Sequence, residues 1–284
     1  KAGMKIAIRE GSAAKNYEAL HPLLKDNPER IMFCSDDKHP DDLAIGHINQ
    51  LAARSINLGY DRFDVLRACS VHAVNHYGLN VGLLQSGDPA DFIILDDAGA
   101  MSVSETWING TCVFRRGDVL FDTVDAAIIN NFVSSEISAS ELKKETFTGK
   151  SEVTVPVIVA KDGELITEKS TETLTAVDGE IQADPGRDIL KIAVVNRYEK
   201  SVPAVGFIKN FGITKGAIAS SVAHDSHNIV AVGSSDEHLA RVINKVMGEK
   251  GGIAVSDASG VDILPLPVGG IMTNRNGKDT AESY

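Results

Sequence analysis

Two apolar runs near the start of the chain, over residues 4–8 and 31–34, set the pattern of its first region. The second run has no polar alternation, which is typical of strands that are buried on both faces of a parallel sheet, and the first, with one lysine at Lys5, is typical of a short strand. Each run is followed by apolar residues at helical spacing. The pattern therefore predicts two successive strand–helix units.

Three helices are expected in this region. Ser12 stands where it would cap the first helix, and Asp61 stands where it would cap the third, which should end at Gly78. The second helix is predicted over residues 41–58. Its expected buried stripe is Ile45, Ile48, Ala52 and Ile56. The expected inward residues of the third helix are Leu66, Cys69 and Ala73.

Short strands replace the strand–helix pattern after Gly78. Asn109-Gly110 is the strongest hairpin signal in this part of the chain. The predicted strands cover residues 81–84, 92–95, 103–108 and 111–114. They predict a small β-sandwich or sheet. A Ser- and Lys-rich stretch over residues 134–151 then predicts a linker or a loosely packed connection.

The last part of the chain combines strands with one long helix. Asp162-Gly163 and Asp178-Gly179 mark hairpin turns, and the first should lead into a strand through residues 165–166. The remaining predicted elements are strands over 189–195, 228–232, 253–255 and 261–264 and an amphipathic helix over 236–249. The sequence thus predicts an α/β part followed by an α+β part.

Composition narrows the function classes. The 284 residues include 28 Lys and Arg against 39 Asp and Glu, for a net charge of −11. Because nucleic acid polymers and anionic membranes bind basic surfaces, we expect neither as a partner. The three cysteines, Cys34, Cys69 and Cys112, are odd in number and far apart, which favours a reducing cytoplasm over a disulfide framework. Lys1 is not a residue left by ordinary initiator removal, so we expect a part of a longer protein.

Asp36 is the leading candidate for chemistry. It follows the apolar run over residues 31–34, where a buried strand would end. In α/β barrels the carboxyl ends of strands carry the active site, so a carboxylate there is a candidate metal ligand or proton carrier. The alternative is that Asp36 caps the helix that begins near Pro40.

Histidines supply the other candidates. His224, Asp225, Ser226, His227 and Asn228 lie together between two apolar runs, so they either form a hydrogen-bonded turn or face a cleft, and a metal site is a further alternative. A second pair, His72 and His76, has the spacing of zinc peptidases but lacks their glutamate. His47 is either a surface histidine or a residue that reaches the strand end.

Several motifs carry a resemblance to a known family. The segment over residues 66–79, followed by Gly87-Asp88-Pro89-Ala90-Asp91, resembles the end of the barrel in metal-dependent amidohydrolases. The motifs over residues 8–14, 34–37, 216–228 and 264–270 resemble more specifically the bacterial adenine deaminases. The resemblance covers essentially the whole chain. One departure is Tyr198, where that family usually carries His.

The resemblance implies a fold in three parts. Residues 1–78 would be the last two βα units of a (β/α)8 metal-dependent hydrolase barrel, and residues 79–133 part of a β-sandwich. Residues 134–284 would be an appended α+β C-terminal domain. Because a complete barrel needs about 250 residues, most of it and most of its metal ligands would lie upstream.

The resemblance also implies an activity, the hydrolytic deamination of adenine to hypoxanthine and ammonia in purine salvage. Asp36 would ligate a divalent metal of a binuclear manganese or iron centre and shuttle the proton. Asp37 would have a structural role. Glu10 would orient the substrate with Arg9, or else form an ion pair with Arg9 or between strands. The cluster over residues 224–228 would close over the barrel mouth and contact substrate.

Two other hypotheses remain open at this point. The chain could belong to another amidohydrolase, acting on a cyclic amide or an acetylated sugar. It could instead be a catalytically silent folded module, because two barrel strands alone have exposed edges and do not assemble a metal site. Those edges predict a partner, either the missing barrel portion or a second copy in a homo-oligomer.

Overall fold

The structure is a computed structural model that describes residues 3–122, 124, 127–133, 135–146 and 149–284. The described residues form two compact units. The first unit contains the described residues up to Val124 together with 277–282 and 284. The second unit contains the described residues from 127 to 276 together with Ser283. Helices and several sheets occur together, so the predicted mixture of α and β structure is confirmed.

A pair of parallel strands forms the centre of the first unit. Strand β1 (Ile6–Arg9) pairs with β2 (Ile31–Cys34), with Ile6 opposite Ile31 and Arg9 opposite Cys34. The connection consists of helices α1 (Tyr17–Leu20) and α2 (Leu23–Asp26) and a 3-10 helix (Pro28–Arg30). The two strands predicted from the apolar runs are confirmed.

The long helix predicted over residues 41–58 is wrong. Two helices stand there, α3 (Pro40–Ile45) and α4 (Ile48–Asn57), because the chain is extended at Gly46. The interruption takes Ile45 off the buried stripe, and its side chain is 77% exposed. Ala52 is fully buried as predicted, whereas Ile48 and Ile56 are only partly buried.

The next predicted helix is also divided. Helix α5 (Arg62–Cys69) begins as predicted at Asp61, whose carboxylate accepts hydrogen bonds from the N–H groups of Phe63 at 2.9 Å and Asp64 at 3.0 Å. The hydroxyl of Ser70 donates to the carbonyl of Leu66, a local bond that competes with the helix, and α6 (Val71–Tyr77) starts afresh. Gly78 ends α6 in the left-handed conformation, as predicted.

The fully buried side chains of α5 are Val65 and Ala68. The predicted inward residues Leu66 and Cys69 are only partly buried. The stripe assigned from spacing was therefore shifted by one position.

An antiparallel sheet follows in the first unit. It consists of β3 (Phe92–Asp97), β4 (Ser102–Ile108), β5 (Thr111–Arg115) and β6 (Asp118–Val119), paired in that order. Positive φ angles of 49° at Asn109 and 74° at Gly110 confirm the predicted hairpin turn. The strand predicted over residues 81–84 is wrong, because side chains of Asp88 and Asp91 accept hydrogen bonds from its backbone N–H groups.

The second unit is built on a large, mainly antiparallel sheet. Its elements are β7 (Glu152–Val159), β8 (Glu168–Val177), β9 (Glu180–Ile181), β10 (Ile189–Val195), β11 (Ala204–Lys209), β12 (Ala217–Ser220), β13 (Ile229–Gly233), α7 (Asp236–Gly248), β14 (Gly252–Ser256) and β15 (Val261–Pro265). The strand order among the described residues is β15-β14-β12-β13-β10-β11-β7-β8-β9, and the β11–β7 pair is parallel. A last helix, α8 (Gly277–Ser283), ends the chain's regular structure.

Helix α7 covers β12, β13 and β14 and provides much of the core of this unit. Leu239, Val242, Ile243 and Val246 are fully buried on its inner face, at the helical spacing that the sequence shows. Ser235 caps the helix by accepting a hydrogen bond from the N–H of His238. The predicted amphipathic helix is confirmed.

Two predictions for this region are wrong. Ile137 and Leu142 are buried in the core of the second unit, the latter in a 3-10 helix (Ala139–Leu142), so the stretch over 134–151 is not a loose linker. Ser134, Phe147 and Thr148 of that stretch lie outside the described residues. Leu165 and Ile166 are largely exposed between β7 and β8 and form no strand. In the described part of the chain, every helix is too short or too polar to cross a membrane.

Candidate active site at the strand ends

The carboxyl ends of β1 and β2 are held together by backbone contacts. The N–H of Glu10 donates to the carbonyl of Cys34 at 3.2 Å, and the N–H of Ser12 donates to the carbonyl of Asp37 at 3.0 Å. Gly11 allows this approach, since a Cβ there would lie 2.8 Å from the carbonyl oxygens of both Ser35 and Asp37. The strand ends therefore tolerate no larger residue at position 11 without movement of the neighbouring loop.

Ser12 joins the same loop instead of capping a helix. Its Oγ accepts a hydrogen bond from the N–H of His39 at 2.8 Å and donates to Asp42 Oδ2 at 2.5 Å. Helix α1 begins only at Tyr17, with Asn16 at its N-cap. The predicted cap is wrong because the hydroxyl is used for a long-range contact.

Asp36 lies two residues beyond β2, at the strand end where the sequence places it. Its Oδ2 forms an ion pair with Nη1 of Arg9, and both side chains are 38% exposed. Its backbone has a positive φ of 54°. His39, not Asp36, occupies the N-cap of α3, so the alternative that Asp36 is a helix cap is wrong.

Glu10 is paired with an arginine that the sequence did not indicate. Nη1 of Arg54 donates to Glu10 Oε1 at 3.1 Å, so the Arg9–Glu10 pair is wrong and the inter-strand pair is the one between Arg9 and Asp36. Arg54 also pairs with Glu18, and its guanidinium lies 4.1 Å from the centre of the Tyr17 ring. These contacts fix the position of Arg54.

A cavity of about 110 Å³ lies beside Glu10. Its lining residues are Glu10, Ser35, Lys38, His47, Ile48, Gln50, Leu51 and Arg54. Glu10 Oε2 is buried and has no hydrogen-bond partner among the described residues. A buried charged acceptor without a donor is costly, so this oxygen is a candidate position for a hydrogen bond from a ligand or another group.

His47 reaches this strand end from the start of α4. Its Nε2 lies 2.8 Å from the Oγ of Ser35, the residue before Asp36. Burial, and then the charge of Lys38, lower the pKa of His47 below its ordinary value. Nζ of Lys38 in turn donates to Gln50 Oε1 at 3.1 Å. The structure therefore favours the second alternative for His47.

The His224–Asn228 cluster belongs to the second unit, in the loop between β12 and β13. The rings of His224 and His227 stand edge to face, 5.0 Å apart. The hydroxyl of Tyr198 donates to the carbonyl of Ser226 at 3.0 Å and accepts a hydrogen bond from Arg197 Nη2 at 3.0 Å. Tyr198 thus connects this loop to a buried arginine, Arg197.

Three buried polar atoms in or near this loop have no hydrogen-bond partner among the described residues. They are His227 Nδ1, Asn228 Oδ1 and Arg197 Nε. Within the described ranges, no group of three or more His, Cys, Asp or Glu side chains is placed to hold a metal. The turn with side-chain contacts, rather than a metal site, is therefore the interpretation of this cluster that the structure favours.

The histidine pair of α6 has structural contacts. His72 Nδ1 lies 2.8 Å from the carbonyl oxygen of Ile31, and the ring of His76 packs edge to face on Tyr77. His72 thereby ties α6 to the start of β2.

Sequence reasoning missed one charged cluster. Nζ of Lys191, almost fully buried on β10, lies 2.7 Å and 2.8 Å from the two Asp236 oxygens and 2.9 Å from Glu180 Oε1. Burial raises the pKa of Asp236 to about 6, although Lys191 opposes the shift. A cavity of about 210 Å³ adjoins the cluster. The signal was a lysine inside the otherwise apolar run Ile189–Val195.

Comparison with known proteins assigns both units. Residues 4–113 match the amidohydrolase family, and residues 164–284 match the adenine deaminase C-terminal domain. A protein of Salinibacter ruber called adenine deaminase is 50% identical over 285 residues, which cover 100% of this chain and 51% of the relative. Adenine deaminases of Methanosarcina barkeri and Borreliella burgdorferi are 45% and 44% identical, with 52% of each relative covered.

Residues 4–113 are thus similar to amidohydrolases and residues 164–284 to the adenine deaminase C-terminal domain. The chain as a whole is similar to proteins called adenine deaminase. It spans about half the length of the curated relatives it matches.

Proposed function

We propose that this chain forms part of an enzyme that converts adenine and water to hypoxanthine and ammonia. The observation that carries the proposal is the carboxylate of Asp36, held by Arg9 at the carboxyl end of a parallel strand in a chain similar to proteins called adenine deaminase. The enzyme would be a hydrolase acting on a cyclic amidine, with a place in purine salvage in the cytoplasm.

We further propose how the chain fits the complete enzyme. Residues 1–78 would supply the last two βα units of a (β/α)8 barrel, which the parallel pair β1–β2 supports. Residues 79–133 would form part of a β-sandwich and residues 134–284 the appended α+β domain. The partners would be the rest of the barrel and further copies of the protein in a homo-oligomer.

A divalent metal is implied by the amidohydrolase family, and the residues present fit it in part. A carboxylate oxygen suits a hard divalent cation, and Arg9 contacts only one of the two Asp36 oxygens. Asp36 would hold the metal together with ligands from outside the described residues. When bound, the metal lowers the pKa of a water molecule. We propose a binuclear Mn²⁺ or Fe²⁺ centre.

Asp36 would move the proton. Its carboxylate accepts a proton from the water as the water oxygen attacks carbon 6 of adenine, and it returns that proton to the departing amine, which leaves as ammonia. One carboxylate can serve an oxygen and a nitrogen in turn if both lie within hydrogen-bond reach. Arg9 orients Asp36 for this exchange through its ion pair.

The test uses a hybrid protein in which this chain replaces the matching half of the Salinibacter ruber relative. The metal-loaded hybrid should convert adenine to hypoxanthine. Asp36→Asn should lower kcat by about 10²- to 10⁴-fold, because it removes the proton carrier. Asp37→Asn, the same change at the neighbouring carboxylate, is the matched control and should stay within about tenfold of the parent. Equal losses in both variants would contradict the role of Asp36.

We propose a cover or substrate contact for the residues His224, Asp225, Ser226, His227 and Asn228. The unsatisfied His227 and Asn228 atoms support a missing polar neighbour. The hybrid carrying His224→Ala and His227→Ala should have a raised KM for adenine. Turnover identical to that of the parent would remove this role.

A further inference from the structure

We propose that Glu10 selects the free purine base over the nucleoside. Its second carboxylate oxygen accepts a hydrogen bond from the ring N–H that a nucleoside lacks, and Arg54 positions Glu10 for this contact. The inference rests on the proposed function and adds a specificity-determining residue to it. The observation behind it is the buried Oε2 of Glu10, which lines the cavity without a partner among the described residues.

The two oxygens of Glu10 have different environments. Oε1 accepts a hydrogen bond from Arg54, whereas Oε2 is withdrawn from solvent and accepts none from the described part of the chain. A charged acceptor in that state loses the hydration it has in the unfolded chain, and a donor from a ligand restores the bond. The ligand group that suits Oε2 is therefore an N–H or O–H.

Arg54 determines the direction of the open oxygen. Its guanidinium is held by Glu18 and by the face of Tyr17, and the hydroxyl of Tyr17 lies 2.8 Å from the Oγ of Ser55. Because Tyr17 is fully buried, this support is part of the packed core of the first unit. Oε2 is thus presented by a fixed side chain and not by a freely rotating one.

The cavity identifies which part of the base would meet Glu10. Adenine offers N–H donors at two places, the amine on carbon 6 and the five-membered ring. Carbon 6 must lie at Asp36 if that residue carries the proton, and Asp36 does not line the cavity beside Glu10. The cavity is therefore left for the five-membered ring. In a nucleoside the sugar occupies a ring nitrogen, so that nitrogen has no proton to donate.

A selective acceptor of this kind has a measurable consequence. Sites built to hydrogen-bond a substrate N–H reject analogues that lack it by about 10⁴-fold, because the buried partner is left unpaired. The metal-loaded hybrid is compared on adenine and 9-methyladenine. We expect kcat/KM to favour adenine by at least about 10³-fold.

Glu10→Gln should reduce the preference for adenine over 9-methyladenine about 10²-fold. The amide changes the hydrogen-bonding capacity with little change of shape, so kcat/KM for adenine should fall about 10²-fold while that for 9-methyladenine stays the same. Arg54→Met should also reduce the preference for adenine over 9-methyladenine, because Glu10 Oε1 loses its hydrogen-bond donor. Arg67→Met is the matched control, since Arg67 forms an exposed pair with Asp64 at 2.9 Å, and it should change nothing.

A binding measurement accompanies the kinetics and does not depend on turnover. Calorimetry compares adenine and 9-methyladenine on the parent hybrid and on the Glu10→Gln hybrid, both freed of metal so that adenine is not converted, and matched in thermal midpoint. If Glu10→Gln does not fold, Glu10→Asp, which keeps the charge but withdraws the oxygen, takes its place and should show the same loss of preference.

The outcomes separate the two proposals. An equal fall for both ligands in Glu10→Gln, with the preference intact, would overturn the inference and assign Glu10 a structural role or another protein partner. A parent that binds adenine selectively but does not release ammonia would contradict the deaminase function, while loss of that selectivity in Glu10→Gln would still support Glu10.

Discussion

The two units each contain a cluster of opposite charges, but only one of the clusters is complete. In the second unit Lys191 satisfies two carboxylates, Asp236 and Glu180, at distances of 2.7 Å to 2.9 Å. In the first unit Arg54 satisfies one oxygen of Glu10, and the other oxygen is buried without a partner among the described residues. The charges of the second unit satisfy one another, whereas those of the first unit leave one carboxylate oxygen available to a ligand.

Position in the fold explains the difference. Lys191 lies in the middle of β10, opposite Phe207 on β11 and Gly233 on β13, and Asp236 begins α7. The ion pair between Lys191 and Asp236 therefore connects α7 to the centre of the sheet. Glu10 follows the last residue of β1, and its side chain pairs with Arg54 on α4. The ends of parallel strands and the loops that follow them are where binding and catalytic residues commonly lie.

The largest effect is expected from Lys191→Met. Removing one partner of a buried ion pair leaves uncompensated carboxylates, so the free energy of unfolding should fall by about 3–5 kcal/mol. Lys143→Met is the control, because Lys143 also contacts Glu180, at 3.2 Å, but is 50% exposed, and it should cost at most about 1 kcal/mol. Urea unfolding of the chain measures both, and similar losses would show that the buried cluster has no special importance.

Gly11→Ala should have the next largest effect and acts on the other cluster. The new Cβ would lie 2.8 Å from two backbone carbonyl oxygens, so the loop carrying Asp36 must shift. We expect a loss of about 1–3 kcal/mol of stability and weaker metal binding by the hybrid. In Gly248→Ala, by contrast, the Cβ meets nothing within 4 Å, and stability should stay the same or rise. Unchanged metal affinity in Gly11→Ala would show that the close approach of Gly11 to the neighbouring loop does not control the position of Asp36.

The pH dependence of stability should report on Asp236. Its pKa in the folded protein is about 6, above the ordinary 3.8, so the folded state binds this proton more tightly than the unfolded chain does. The resulting stabilisation is present below about pH 4 and is lost as the pH rises through 6. We expect the free energy of unfolding to fall by about 1–2 kcal/mol across this pH range, relative to the Asp236→Asn variant. If the urea midpoints of the parent and of Asp236→Asn change with pH in the same way between pH 4 and 7, this prediction is wrong.

Tyr198→Phe should have the smallest effect. The change removes a hydroxyl that connects Arg197 to the carbonyl of Ser226 but keeps the ring beneath the guanidinium, at 4.8 Å. A partly exposed hydrogen bond of this kind contributes about 0.5–1 kcal/mol. Faster hydrogen exchange at the backbone amides of 224–228 should accompany the loss, and unchanged exchange would indicate that Tyr198 does not hold the loop.

Sequence periodicity predicted local structure well where one residue defines an end. Asp61 begins a helix and Gly78 ends one, Asn109-Gly110 forms its hairpin turn, and α7 has its predicted face. Two predictions failed where groups outside the predicted element competed for the same atoms. The hydroxyl of Ser12 forms hydrogen bonds with the loop after β2. The side chains of Asp88 and Asp91 accept hydrogen bonds from backbone N–H groups of a segment that was expected to be a strand.

The sequence by itself determined the strand that ends before Asp36, the carboxylate itself and the family motifs around it. Each depends on neighbouring residues in the chain. The tertiary structure alone decided the pairing of charges, namely Arg9 with Asp36, Arg54 with Glu10, and Lys191 with Asp236 across 45 positions. Ion pairs depend on distance in space, and no local pattern encodes which distant charge a fold brings within hydrogen-bond distance.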